Sequence, residues 1–160
     1  MSTLRTLFLA LPASAFLGAL ALAASTRIDD PVAFVREVYR RLQDPADRGG
    51  VPDDIYTPRL KKLFAENEEK EKKAPDDGVG CLDFDYWTTG QDEPELANVE
   101  VTGGTATGDR KVVVAKFLNY RIPQEIHFEF RRIDGRWLLD DVSSLKDMPW
   151  TLSKILKCDY

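Results

Sequence analysis

The chain is short of the side chains that most often carry out chemistry. It has one histidine, His127, and two cysteines, Cys81 and Cys158, in 160 residues. The cysteines are not spaced C-x-x-C, and no glycine-rich loop opens a helix as phosphate binding requires. No serine, histidine and acid fall into a recognisable nucleophile arrangement. The histidine belongs to an alternating segment, opposite Ile126, Phe128 and Phe130 and among Glu125, Glu129 and Arg131. Ionic partners on a solvated sheet face account for it better than a general base, which needs a reacting proton within reach. There is no excess of cations either: 22 Lys and Arg stand against 27 Asp and Glu, a net charge of −5. Such a chain has no electrostatic drive toward nucleic acid or anionic lipid. After residue 24 no apolar run is long enough to span a bilayer.

What is present begins with an apolar run from Leu7 to Ala24, preceded by one cation, Arg5. Ala21-Leu22-Ala23 places small residues where a signal peptidase reads them, so residues 1–23 are expected to be a cleaved secretory signal. The mature chain would then be a single domain over 24–160, one charge more negative than the full chain, exported to the periplasm, with no membrane span after cleavage. In an oxidising compartment, Cys81 and Cys158 are expected to form a disulfide.

Two amphipathic helices come first. Asp29 or Asp30 can cap a helix with Pro31 in its first turn, and Val32, Val35, Val38, Tyr39 and Leu42 recur at helical spacing. Ile55 and Tyr56 fit a short turn. Thr57 then caps a second helix with Pro58 at its first position and Leu60, Leu63 and Phe64 as its apolar face. Its charged end, ENEEKEKK, reads as a solvated surface of mixed sign. The period then changes to two. Strands are expected over 96–102, over 111–120 with both faces covered, over 124–132, and over 136–142 after a tight Asp134-Gly135 turn. On the last of these, Asp140 and Asp141 are expected on opposite faces. A short helix is expected around Trp150 to Leu156. Helices followed by antiparallel strands mean an α+β fold, with the N-terminal helices on a curved antiparallel sheet and a cavity between them.

Residues 80–93, GCLDFDYWTTGQDE, concentrate a cysteine, aromatics and acids. On an extended strand Asp83 and Asp85 would share one side, as a hard cation would want, and Asp92 would close the site. The calcium-loop pattern is missing, however, and Trp87 stands where a ligand oxygen is needed. Leu82, Phe84 and Tyr86 would bury together on the other alternation. The expectation is an irregular strand and turn. In it the Asp side chains hold backbone N–H groups of the Thr88-Thr89-Gly90 turn, with at least one Asp at the cavity rim and no metal.

Several short motifs recur together: D-P-x-x-F-V-x-x-x-Y (Asp30 to Tyr39), Ile55-Tyr56-Thr57-Pro58, D-x-D (Asp83, Asp85), Gln91-Asp92, and G-x-W-x-x-x-D-V (Gly135, Trp137, Asp141, Val142). In these the chain resembles a family of small exported proteobacterial proteins of unknown function. The resemblance, over about residues 29–145, implies a nuclear transport factor two-like fold, a cone of helices against a bent antiparallel sheet. That fold hosts enzymes, binding modules and adaptors alike.

The function expected is a periplasmic, non-enzymatic domain that binds a small molecule or an envelope protein. The ligand-facing candidates are Asp83, Asp85, Trp87, Gln91, Asp92, Tyr120 and Asp141. No catalytic residue, metal or cofactor is assigned. The alternatives are a hydrolase or isomerase using a cavity acid such as Asp85 or Asp141, and an immunity or inhibitor protein.

Overall fold

Asp30 is the N-cap of the first helix. Its carboxylate accepts the Val32 N–H at 3.0 Å, and Pro31 occupies the first turn, where no amide hydrogen is required. The computed structural model describes residues 26–47, 50–73, 80–146 and 148–159. The expected signal segment, residues 1–23, lies outside the described residues.

Helix α1 spans Pro31–Leu42 and α2 spans Pro58–Glu71, the latter capped by Thr57, whose hydroxyl accepts the Leu60 N–H at 3.2 Å. A 3-10 turn, Asp53–Ile55, precedes α2. The strands are β1 Leu96–Gly103, β2 Arg110–Asn119, β3 Ile122–Ile133, β4 Arg136–Ser144 and β5 Trp150–Thr151, and a short helix, α3 Leu152–Ile155, follows. They form one open antiparallel sheet in chain order, β1-β2-β3-β4-β5. The fold is α+β. Among the described residues no helix is long and apolar enough to cross a membrane.

The core face is set by the register. Val113 pairs with Phe128 and Ala115 with Ile126, while Phe128 pairs with Val142 and Phe130 with Leu139. All of these side chains are buried, against Val35 and Tyr39 of α1 and Leu60 of α2. The opposite face is less covered than the apolar run of β2 suggests: Val112 is exposed and Val114 and Leu118 are only half-buried. Helix α1 comes close to β1 because Gly103 has no side chain; a Cβ there would collide with Val32 Cγ2. The outer edge of β4 is covered piecewise. Trp137 N–H donates to the Ile28 carbonyl at 3.3 Å, Thr57 N–H to the Leu139 carbonyl at 2.9 Å, and β5 pairs with Ser143 and Ser144.

Two features depart from the alternation of the sequence. In β4 the register slips between Glu129↔Asp141 and Phe130↔Leu139, leaving Asp140 as a bulge. The bulge turns Asp140 and Asp141 to the same neighbour rather than to opposite faces: Arg59 bonds Asp140 Oδ1 at 3.2 Å and Asp141 Oδ2 at 3.4 Å. The second departure is at Trp150, which begins a strand rather than a helix, so that α3 starts only at Leu152. Asp141 holds that start from the sheet, accepting Ser153 N–H at 3.0 Å and Ser153 O–H at 2.5 Å.

The β2–β3 hairpin turns on Tyr120 and Arg121, with φ of 48° and 67°. A two-residue turn of this kind favours Asn-Gly, because side chains in the left-handed region cost about 1 kcal/mol or more each. Arg121→Gly is therefore expected to stabilise the protein by roughly 0.5–1 kcal/mol, read as a higher urea midpoint at unchanged slope. A lower midpoint would show that the Arg121 side chain contributes more than its backbone costs.

Candidate functional site

Residues 80–93 do not form a strand. Asp85 N–H donates to the Gly90 carbonyl at 2.8 Å, and between them the chain turns on itself, the Asp85 carbonyl accepting from Thr88 and Thr89. The Asp85 side chain fixes the turn from within: Oδ1 accepts the Trp87 N–H at 2.8 Å and Oδ2 the Thr88 hydroxyl at 3.1 Å. An Asp side chain does hold backbone here, but the N–H it holds is that of Trp87; the Thr88 and Thr89 N–H groups expected to be its partners go to the Asp85 carbonyl instead. Asp83 instead meets the Gln91 amide at 3.4 Å, and Asp92 is exposed. The hydrophobic alternation fails here. Phe84 leaves Leu82 and Tyr86 and packs on Trp150, ring centroids 5.2 Å apart.

The turn drives Trp87 inward. Its ring stacks on Phe128 at 4.6 Å and meets Tyr39 edge-on at 6.3 Å, and the Tyr39 hydroxyl donates to the Trp87 carbonyl at 2.7 Å. Thr88 is buried beside it, its carbonyl accepting the Asn119 side-chain N–H at 3.0 Å. The space between α1 and the sheet is thus filled by this stretch. A disulfide between Cys81 and Cys158, Cα atoms 5.3 Å apart, ties its start to the chain just beyond α3.

Outside the filled core lies an open cleft of about 360 Å³ between α1, the segment before α2 and the turn. Arg41, Val51, Tyr56, Asp85, Tyr86 and Trp87 contribute to its walls. A second cleft of about 460 Å³, against α2, shares Tyr56 and Tyr86 and adds Asp53, Phe64 and Glu68. The two tyrosines are the waist between them, their hydroxyl oxygens 2.5 Å apart. Tyr56 is positioned by the chain running beside β4, Tyr86 by the Asp85 turn.

Burial pushes the Tyr39 hydroxyl well above the ordinary tyrosine value, and the Asp85 charge adds to the rise. Burial raises Tyr56 and Tyr86 as well. Their mutual hydrogen bond opposes the rise at Tyr56 and adds to it at Tyr86. The Trp87 indole N–H is close enough to Tyr86 to work against that rise, yet Nε1 is buried and makes no hydrogen bond of ordinary geometry. For a group whose folded pKa is raised, stability is fully present below the unfolded value of about 10 and is lost as pH climbs toward the folded value. Stability is therefore expected to fall above pH ~10. Absorbance at 295 nm should show Tyr39, Tyr56 and Tyr86 ionising late and together with unfolding. Smooth titration of every tyrosine near pH 10 in folded protein would contradict this.

Of the seven ligand-facing candidates, the fold brings Asp85 and Trp87 to one cleft. Asp83 and Gln91 meet each other at the surface. Tyr120 sits on the β2–β3 turn, its hydroxyl donating to the Glu93 carbonyl at 2.5 Å, and Asp141 anchors α3. Sequence reasoning missed Tyr56, Tyr86 and Arg41 as wall residues. Arg41 lies between Val38 and Leu42 of the cleft at helical spacing, which was a usable signal; the meeting of Tyr56 with Tyr86 left none. His127 bonds Glu125 at 3.0 Å, as expected of an ionic partner on the sheet. Among the described residues no three His, Cys, Asp or Glu side chains converge as metal ligands.

Removing the Asp85 carboxylate leaves the Trp87 N–H without its acceptor. Asp85→Ala is expected to cost about 1–3 kcal/mol, and Asp85→Asn, which keeps an acceptor oxygen, less. Chemical denaturation of the pair tests the order, and equal losses would mean that charge rather than hydrogen bonding matters here.

No family model, no curated protein and no solved structure matches the chain.

Proposed function

We propose that the chain is an exported, periplasmic, non-enzymatic binding domain, and that its ligand lies in the cleft flanking the Tyr56–Tyr86 pair. The observation that carries this reading is the position of Trp87. By stacking on Phe128 it occupies the place where a cone-shaped fold would keep a deep cavity. The acids named for a hydrolase or isomerase are employed elsewhere: Asp85 holds its turn at the rim, and Asp141 holds Ser153 and Arg59. The remaining concave surface combines apolar walls with a few polar groups, the usual make-up of a small-molecule site. A nuclear transport factor two-like cone is the arrangement we favour, since α1 and α2 both pack against a single antiparallel sheet.

The test has two parts. Intact mass of protein recovered from the periplasm should begin at Ala24. In a fragment screen by NMR, small molecules should perturb the amides of 50–56 and 85–87, and Val51→Trp, which fills the cleft, should abolish those shifts. Cytoplasmic retention, or hits indifferent to Val51→Trp, would overturn the reading.

A second reading rests on a separate observation. Among the described residues five large apolar side chains are exposed, and four of them, Tyr120, Ile122, Leu145 and Met148, belong to the β2–β3 turn, the start of β3 and the segment after β4. Ile122 and Met148 share one surface groove. Exposed apolar surface of this kind suits an envelope protein partner. Ile122→Asp with Met148→Asp should then abolish partner capture while leaving cleft binding intact.

A further inference from the structure

We infer that the cleft ligand is a neutral saccharide of at least two pyranose units, lying across the Tyr56–Tyr86 waist. This rests on the cleft being the binding site and adds the class of ligand. Shape is the first ground. The two clefts, about 360 and 460 Å³, lie against the same two tyrosines, so a ligand that crosses the tyrosine pair would reach both. A linear ligand of repeated units matches that outline better than a single compact one.

Donor counting is the second ground. Tyr56 and Tyr86 bring two phenol hydrogens to the waist, and the hydrogen bond between them uses one, while the Trp87 indole hydrogen stays buried beneath them. The waist therefore keeps one phenol hydrogen that can be donated to a ligand oxygen. Around it the balance reverses. Asp85 stands on one side, Asp53 and Glu68 on the other, and carboxylates only accept. A ligand that meets both must accept at the centre and donate at the rims.

Charge then selects among such ligands. Each cleft carries both signs, Arg41 with Asp85 in one and Lys61 with Asp53 and Glu68 in the other. An anion drawn to the phenols would face Asp85, and a bare cation drawn to the acids would face Arg41 or Lys61. A hydroxyl group donates and accepts without net charge, and a pyranose carries several on an apolar ring. The ring faces of Tyr56, Phe64 and Tyr86 and the side chain of Val51 supply apolar walls for its C–H face.

The experiment titrates the oxidised protein with cellotriose, maltotriose and tri-N-acetylchitotriose, and with trialanine as the comparison, by calorimetry and by amide shifts. At least one trisaccharide should bind saturably and shift residues on both sides of the waist. Tyr86→Phe and Asp85→Asn should each weaken it about tenfold, the loss of one hydrogen bond made at the site. Val51→Trp should block it. Failure of all three sugars, affinity unchanged in both substitutions, or binding of trialanine in their place would overturn the proposal. If fragments or the peptide still fill the cleft while no sugar does, the ligand class falls and the cleft remains the site. If nothing binds that Val51→Trp can block, both fall.

Discussion

Trp87→Ala should lower the unfolding free energy by about 3–5 kcal/mol, the range for truncating a large aromatic in a packed interior. The indole is only 5% exposed and stacks on Phe128, with Phe34, Tyr39 and Tyr86 around it. These neighbours come from α1, from β3 and from the turn itself, so no single element can move in to fill the space, and the cavity term is added to the lost transfer energy. Urea denaturation measures the difference. A loss under about 1 kcal/mol would mean that residues 80–93 lie on the fold rather than inside it, and the filled-core argument for the cleft would lose its basis.

The second large effect belongs to the disulfide. Cys81 and Cys158 are 77 residues apart in sequence. Closing a loop of that length removes about 4 kcal/mol of unfolded-chain entropy on the chain-entropy account. Replacing both cysteines with serine should thus lower the melting temperature by on the order of 15 °C. A reductant should do the same to the unsubstituted protein and nothing further to the double variant. If the melting temperature hardly changes, the bridge does no more than decorate contacts that hold by themselves. The two effects share a segment, because the bridge anchors the start of the stretch that carries Trp87. Trp87→Ala should consequently cost less in the serine variant than in the oxidised protein, a coupling that a double-mutant cycle reads directly.

The parts of the fold that could be read in advance are those whose cause is local. Asp30 with Pro31, and Thr57 with Pro58, mark helix starts by chemistry confined to a few residues, and both helices begin there. Asp134 and Gly135, with φ of 50° and 77°, make the turn that their residue types favour. The alternation of Ile126, Phe128 and Phe130 became the core side of β3. The failures have causes beyond the local window. Tyr120 and Arg121 form a tight turn without any turn residue, because strand pairing on both sides leaves no other conformation. The bulge at Asp140 interrupts a period of two that nothing in RWLLDDV reveals; Thr57 and Arg59, some eighty residues earlier, bond the displaced side chain. The cleft was half legible. Asp85 and Trp87 were named, but the partnership of Tyr56 with Tyr86 spans thirty residues and arises from packing alone.

Chain order gives the covering of β4 a consequence in time. Ile28 and Thr57 seal an edge that begins at Arg136, and α1 rests on strands that begin at Leu96. During synthesis the helices therefore emerge with their apolar faces unclaimed, and each must wait for a partner about 65 to 80 residues later. The strands that follow need far less delay, since β2, β3 and β4 are joined by two-residue turns and can zip as they appear. The meander is the natural first structure, and α1 and α2 dock onto it afterwards. Because Cys158 is the later cysteine, the covalent ring can close only once every strand of the sheet has been delivered.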